Sequence, residues 1–356
     1  MLAPQAPVFV PHPIAAPAEI AGAVLAGHTL FAWGDGLYAF DLPRGRPRTL
    51  VPGVRFAAAG CLADINQDGL ADLVLQEGVP AGRLVWLEAP AWSRHQIDFG
   101  IETPDILPAT LHGRRGLLIV HRHMQVRFYQ PPHTPGAAPR PEAPQRAGPA
   151  ARWPYREIYS FYTPSRQAGL ALEDVDRDGR PDILCGNYWI RSPARFDLPW
   201  PLHAINLYTE TPVSATLRLA VADLARPGSR DLAVSQGEVY GARLAWFERP
   251  ADPKQLWVEH RLEGASNLQR PRAFAVADFD GDGRPDIAAG ENNGARSRLL
   301  LFVNQGAGRF QPHQIGAGAA AHGAWAVDLN RDGRPDLLTA GPRSVVWLEN
   351  GGQRLK

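Results

Sequence analysis

Cysteine is almost missing from this chain, with two residues in 356, Cys61 and Cys185. Both fall in apolar runs of different segments. They read as buried free thiols, which excludes a disulfide framework as the source of stability. An excess of one charge is missing too: the formal net charge is +1 and no basic tract occurs, so nothing marks a nucleic-acid or membrane-surface partner. The N-terminal segment has no Lys or Arg before Arg44, and Pro4, Pro7, Pro11, Pro13 and Pro17 would break any helix there. It is read as neither a signal peptide nor a membrane span, so an export signal was removed or never existed. Helix-friendly composition is the last absence. Gly (35) and Pro (34) together approach a fifth of the chain, which suits an all-β protein with many tight turns.

What is present is a repeated acidic loop of nine residues, running from Asp64 to Asp72, Asp174 to Asp182, Asp278 to Asp286 and Asp328 to Asp336. Oxygen ligands at positions one, three, five and nine can surround a hard cation, and a glycine at position six (Gly69, Gly179, Gly283, Gly333) allows the turn that points them inward. Position seven, Leu70, Arg180, Arg284 or Arg334, is expected to lend only its backbone carbonyl. An EF-hand would place Glu at position twelve; here that position is Leu75, Cys185, Ala289 or Thr339 in a β-prone run, so the cage joins two strands. A fifth loop, Asp223 to Asp231, keeps the length and Gly228 but has Ala225 and Pro227 where ligands belong, and is not expected to bind the ion.

The spacing between first loop aspartates is 49, 55 and 50 residues over 174, 223, 278 and 328, the length of one propeller blade. The step from 64 to 174 is 110, two blades, so a loopless blade is expected around Leu107 to Tyr159 and another over Ile20 to Leu50, with a Gly-Asp-Gly turn at 34 to 36. These units predict a single all-β domain over 1–356: a seven-bladed β-propeller. Within a blade an Ala-rich inner strand precedes the loop, and a third strand carries Trp-Leu-Glu, as at Trp86-Leu87-Glu88 and Trp347-Leu348-Glu349. A fourth strand carries His95, His203, His260 or His313 before its last apolar residue, and this repetition favours a structural role over catalysis. The last blade lacks a fourth strand at its C-terminal end. Residues 8–14, ending His12-Pro13-Ile14, have the same pattern and are expected to close it, which removes an exposed edge. The Pro-rich stretch 131–150 is read as a surface insertion.

Asp-x-Asp-x-Asp-Gly-x-x-Asp, the third-strand Trp-Leu-Glu and the fifty-residue unit together resemble FG-GAP (VCBS-type) repeat proteins, a family that is similar to integrin α-subunit head propellers. The resemblance implies calcium, about four structural ions, held by Asp64, Asn66, Asp68 and Asp72; Asp174, Asp176, Asp178 and Asp182; Asp278, Asp280, Asp282 and Asp286; and Asp328, Asn330, Asp332 and Asp336. It implies no single function, since adhesins, lectin-like modules, polysaccharide lyases and sugar dehydratases resemble it alike.

Repeat phasing brings other polar residues to the opposite face near the axis. Before inner strands come Arg166, Arg270, Arg272 and His322; after second strands come Glu77, Glu238, Glu291 and Asn292. Thr-Pro crossings at 103–104, 163–164 and 211–212 lie near Phe161, Tyr162 and Tyr208. Arginine can fork onto a sugar carboxylate and an aromatic face can stack on a pyranose, whereas the plain alternative is that these charges solvate loop rims. Two readings follow. One is a calcium-stabilised module binding a glycan or protein ligand on this face, as a monomer in an extracellular or periplasmic setting; the other is a lyase or dehydratase on sugar acids or keto-sugars, with His322 as base and Arg270 and Arg272 stabilising an enolate-like charge. The binding reading is preferred, because no nucleophile motif, zinc-type cluster or phosphate loop is present. His121-Arg122-His123 is read as a strand pair with its side chains on one edge, with metal ligation by the two histidines as the weaker alternative, since no third ligand is evident.

Overall fold

The computed structural model describes residues 6–43, 45–132, 152–162, 166–205, 214–242, 244–318, 320 and 322–352. Of the segments singled out above, most of the Pro-rich stretch, Thr163-Pro164, Tyr208 and Thr211-Pro212 lie outside them. The described residues are almost wholly β, and one 3-10 turn, Gly294–Arg296, is their only helical element.

Among the described residues, propeller-like sheets of four or more strands radiate from a common axis and number six, beside two small two-stranded sheets. Five have four strands: Asp105–Leu111 to Tyr155–Ser160, Leu170–Glu173 to Leu202–Ala204, Arg218–Ala222 to Val258–Arg261, Ala273–Ala277 to Phe310–Ala317, and Gly323–Val327 to Ser344–Asn350 with Phe9–Ala15. The sixth has six strands, Ile20–Ala26 through Ser93–Ile101. The expectation of seven blades is therefore corrected. The two units expected over Ile20 to Leu50 and around Asp64 are fused, because Arg48–Ala63 runs on as one strand of 16 residues. Its first half pairs with Thr29–Asp41 and its second half with Asp72–Glu77. The expected Gly-Asp-Gly reversal does not occur either: Thr29–Asp41 passes through it as a bulged strand, with the irregularity absorbed at Asp35/Gly36, where Gly36 has φ +125°.

The innermost strands Ile20–Ala26, Arg48–Ala63, Asp105–Leu111, Leu170–Glu173, Arg218–Ala222, Ala273–Ala277 and Gly323–Val327 neighbour one another in that order, and the last returns to the first. The six-stranded sheet supplies two of them. Their alanines keep the bore narrow, and a Cβ on Gly60 would lie 2.4 Å from Leu75 and 2.6 Å from Trp33. Cores lie between adjacent sheets. Leu118, Phe128, Ile183 and Trp200 fill one gap; Trp246, Ile287 and Phe302 fill another. Inside the fused sheet, Trp33, Phe56, Leu75 and Val85 pack its two halves together, and Trp33 Nε1 donates to the Ala57 carbonyl at 2.7 Å. Each such fully buried large side chain contributes roughly 1.5–3 kcal/mol. Cys61 and Cys185 are buried free thiols, and burial pushes both up.

Phe9–Ala15 runs antiparallel to Ser344–Asn350, from Phe9 opposite Asn350 to Ala15 opposite Ser344. As an outer strand it tolerates Pro11 and Pro13, which cannot donate to a ladder. The recurring histidines have a packing role. His12, His95, His203 and His260 stack on the third-strand tryptophans Trp347, Trp86, Trp189 and Trp246, with ring centroids 4.1–4.5 Å apart. In three of these pairs the third-strand glutamate completes the contact: Glu349, Glu88 and Glu248 lie 2.9, 2.7 and 3.2 Å from the ring nitrogens.

Candidate functional site

Each acidic loop leaves the end of an inner strand and is framed by its own backbone. In the loop starting at Asp174, the Asp178 and Gly179 amides donate to the two oxygens of Asp174 at 2.9 Å, and the Arg180 amide to Asp178 at 3.0 Å. The loops starting at Asp64, Asp278 and Asp328 repeat this frame. The ninth aspartate does something the sequence did not reveal. Asp72, Asp182, Asp286 and Asp336 are fully buried, and each accepts one amide from loop position two and another from a residue at the end of the third strand or within two residues beyond it, as Asp182 does from Val175 (3.0 Å) and Ser192 (2.6 Å). Asp231 of the fifth loop does the same. This aspartate thus stitches loop to blade whether or not the other ligand positions are filled. Position seven also departs from expectation: Arg180, Arg284 and Arg334 turn their side chains onto the aspartate at position five.

Two loops gather carboxylates densely enough for a cation, with ligand atoms of Asp174, Asp176 and Asp182, and of Asp278, Asp280 and Asp286, within 4.8 Å of one another. Burial, joined by repulsion from neighbouring carboxylates, holds Asp182 and Asp286 up to about 7 and Asp280 up to about 6. One oxygen of Asp280 and one of Asp176 are buried without a donor. This donor set suits a hard divalent ion. The two loops differ in one respect: Arg191 pairs with both Asp176 and Asp178, while Val303 stands at the matching third-strand position beside the Asp278 loop. In the fifth loop Arg230 pairs with Glu173, and the buried Arg249 guanidinium reaches the Val175 carbonyl at 3.3 Å.

At the opposite ends of the inner strands, a cavity of about 490 Å³ opens near the axis. Thr103, Pro104, Asp105, His123, Arg166, Arg218, Glu238, Arg272 and His322 line it with a floor of Ala and Gly. Four of the expected ligand-face residues therefore meet here: Arg166, Glu238, Arg272 and His322. Arg270 stands behind them, 3.5 Å from Glu238 and 3.5 Å from the Tyr240 hydroxyl. Four others are not among the lining residues. Glu77 pairs with Arg94 at 3.1 Å, off the angle of a hydrogen bond; Glu291 is buried and consumed by Arg298 and the Gln269 amide; Asn292 is engaged through its backbone with Gln269; Tyr162 is 87% exposed.

Asp105, His123 and Arg218 were not foreseen. Asp105 keeps some surface, but that surface faces the cavity rather than bulk water, and burial holds its carboxyl above the usual range against the pull of Arg218. His123 is corrected from the strand pair: the strand ends at His121, and Arg122 and His123 form a turn with φ +51° and +59°. That left-handed turn points the imidazole to the axis instead of along a strand face. Asp105 and Arg218 also line a second cavity of about 480 Å³ that follows the inner strands to Asp278.

The electrostatics here are one-sided. Burial alone would raise Glu238, but its hydrogen bond to Arg272 and the charges of Arg272, Arg218 and Arg270 bring it below the ordinary range. His322 is pushed down to about 4, first by burial and then by Arg272. The Ala21 backbone is near enough to oppose this slightly, though not in hydrogen-bond geometry, and neither ring nitrogen has a partner.

Residues 278–339, which hold the third and fourth of the full acidic loops, match the FG-GAP-like repeat family. Together with the propeller-like sheets, this match supports an FG-GAP-type repeat propeller. No curated protein matches the chain. The FG-GAP-type assignment fits the loop frame above, since both repeats in the matched span keep every ligand position. Among the described residues, no helix of this propeller is long and apolar enough to cross a membrane.

Proposed function

We propose that this FG-GAP-type propeller is a calcium-stabilised binding module whose ligand, a carbohydrate or a protein, sits in the axial cavity on the face opposite the acidic loops. The observation that carries the reading is the convergence of three arginines, two histidines and Glu238 from several sheets on one cavity. Residues that merely solvate a rim would not be gathered inward. Calcium, held by the loop carboxylates and Asn66 and Asn330 as ligands, would supply charge neutralisation that fixes the loops and through them the blades. About four ions are proposed. The calcium-rich setting this requires is extracellular or periplasmic, with the protein as a monomer.

The lyase reading is weaker on chemical grounds. A histidine held near 4 is unprotonated at neutral pH but a poor base, and a catalytic base is most effective with its pKa near the working pH. The test is Arg272→Ala and His322→Ala, each expected to keep the wild-type fold by circular dichroism and lose binding on a glycan array. Retention of full binding by both variants would place the site elsewhere. New ultraviolet absorbance with uronate polymers would instead favour elimination.

A further inference from the structure

Resting on that reading of the axial cavity, we propose that its ligand is acidic: the end of a uronate-type glycan, with its carboxylate taken by Arg166 and Arg218 and its hydroxyls by His123 and His322.

Three observations carry the inference. The first is which arginines are committed. Arg272 is hydrogen-bonded to Glu238. Arg166 and Arg218 line the same cavity and, among the described residues, make no side-chain hydrogen bond or ion pair. A guanidinium presents five donors in a planar fork, and two forks facing one space match a carboxylate better than any neutral group. The cavity also holds three guanidinia against the carboxyls of Glu238 and Asp105, so positive charge is in excess even with both ionised.

The second observation is a set of polar atoms without partners. His322 Nδ1 and Nε2, His123 Nδ1 and Arg272 Nε are all buried and unpaired. Buried polar groups are nearly always satisfied, and each neutral imidazole needs one donor and one acceptor. Hydroxyl groups serve both needs at once. A peptide acid offers few of them, which favours a sugar acid over an acidic protein segment.

The third is size and rim. At about 490 Å³ the cavity falls within the range of small-molecule sites, roughly 300–1,000 Å³, and suits a chain end. Arg270, which contacts Glu238 behind the lining, lies under the ring of Tyr240 at 5.5 Å, and that ring is 66% exposed. Its outer face is free for the next sugar unit to stack on.

The experiment is isothermal titration of the full chain in calcium with tri-uronates of galacturonate, glucuronate and mannuronate, their methyl esters, maltotriose, and a peptide ending in Glu. At least one tri-uronate is expected to bind tenfold or more tighter than its ester, because only the acid can accept charge-assisted hydrogen bonds from the two guanidinia. Arg166→Gln and Arg218→Gln should each remove most of that difference between acid and ester. The acid–ester contrast on the wild-type chain needs no variant, so a misfolded mutant cannot hide the answer. Equal binding of acid, ester and maltotriose would overturn the acidic ligand and leave the binding module standing. Binding of none of the sugars, or tighter binding of the peptide, would overturn it as well.

Discussion

Asp280→Asn should change the sign of its effect on stability when calcium is added. Without metal, Asp280 is a burden: its carboxyl is held up to about 6 by burial and by Asp282 and Asp278, against 3.8 for the free group. A raised folded-state pKa means the charged form costs stability above that pKa, with the cost relieved as pH falls through 6 toward 3.8. For a fully buried group the gap corresponds to about 3 kcal/mol; Asp280 is only partly buried, and screening brings the figure to about 1 kcal/mol. The amide removes that cost. In EDTA at pH 7.5 the variant should therefore be the more stable protein by about 1 kcal/mol, or roughly 2 °C for a chain of this size. With calcium the order reverses, since a site at a hundredfold excess of ligand over its Kd contributes about 2.7 kcal/mol and the variant loses much of it. Denaturant melts in EDTA and in calcium, at pH 7.5 and pH 4.5, give the comparison directly. Equal destabilisation of the variant in both conditions would refute the reasoning and make the loop plain architecture.

Arg191→Gln should do the opposite at the Asp174 loop, lowering stability in EDTA while tightening calcium binding about fivefold by titration calorimetry, because Arg191 already occupies Asp176 and Asp178 as a tethered cation. His322 gives a pH signature: with its folded-state pKa lowered from 6.5 to about 4, its contribution is present above 6.5 and lost as pH falls toward 4. Wild type should lose on the order of 2–3 kcal/mol relative to His322→Asn over that window in paired melts. A constant difference across the window would rule out a buried neutral imidazole.

The acidic loops were legible because ligand spacing is local: nine residues contain the whole frame. The Trp and His partners were half legible, since repetition gave their positions but not that they stack on each other across strands. The fusion of two units at Arg48–Ala63 was hidden. Repeat spacing counts units along the chain, whereas sheet membership depends on which neighbour each half of a strand pairs with, and a register shift between Phe56 and Gly60 decides that here. At the cavity, phasing brought out Arg272 and His322 because both precede inner strands by a fixed offset. His123 escaped because only a positive-φ turn delivers it, and Asp105 because its place at the start of an inner strand, facing the axis, depends on how the sheets close and not on its local sequence.

That shared strand has a dynamic consequence. Six strands paired in succession from Ile20–Ala26 to Ser93–Ile101, with Arg48–Ala63 shared between the two halves, tie neighbouring sectors of the ring into one cooperative unit. Elsewhere the seams are slighter, as at the three-residue strands Tyr188–Ile190 and Leu202–Ala204. Amide exchange should be slowest and most uniform across 20–101. The ring should breathe first on the far side of the axis, around 188–204, where the ladder is short.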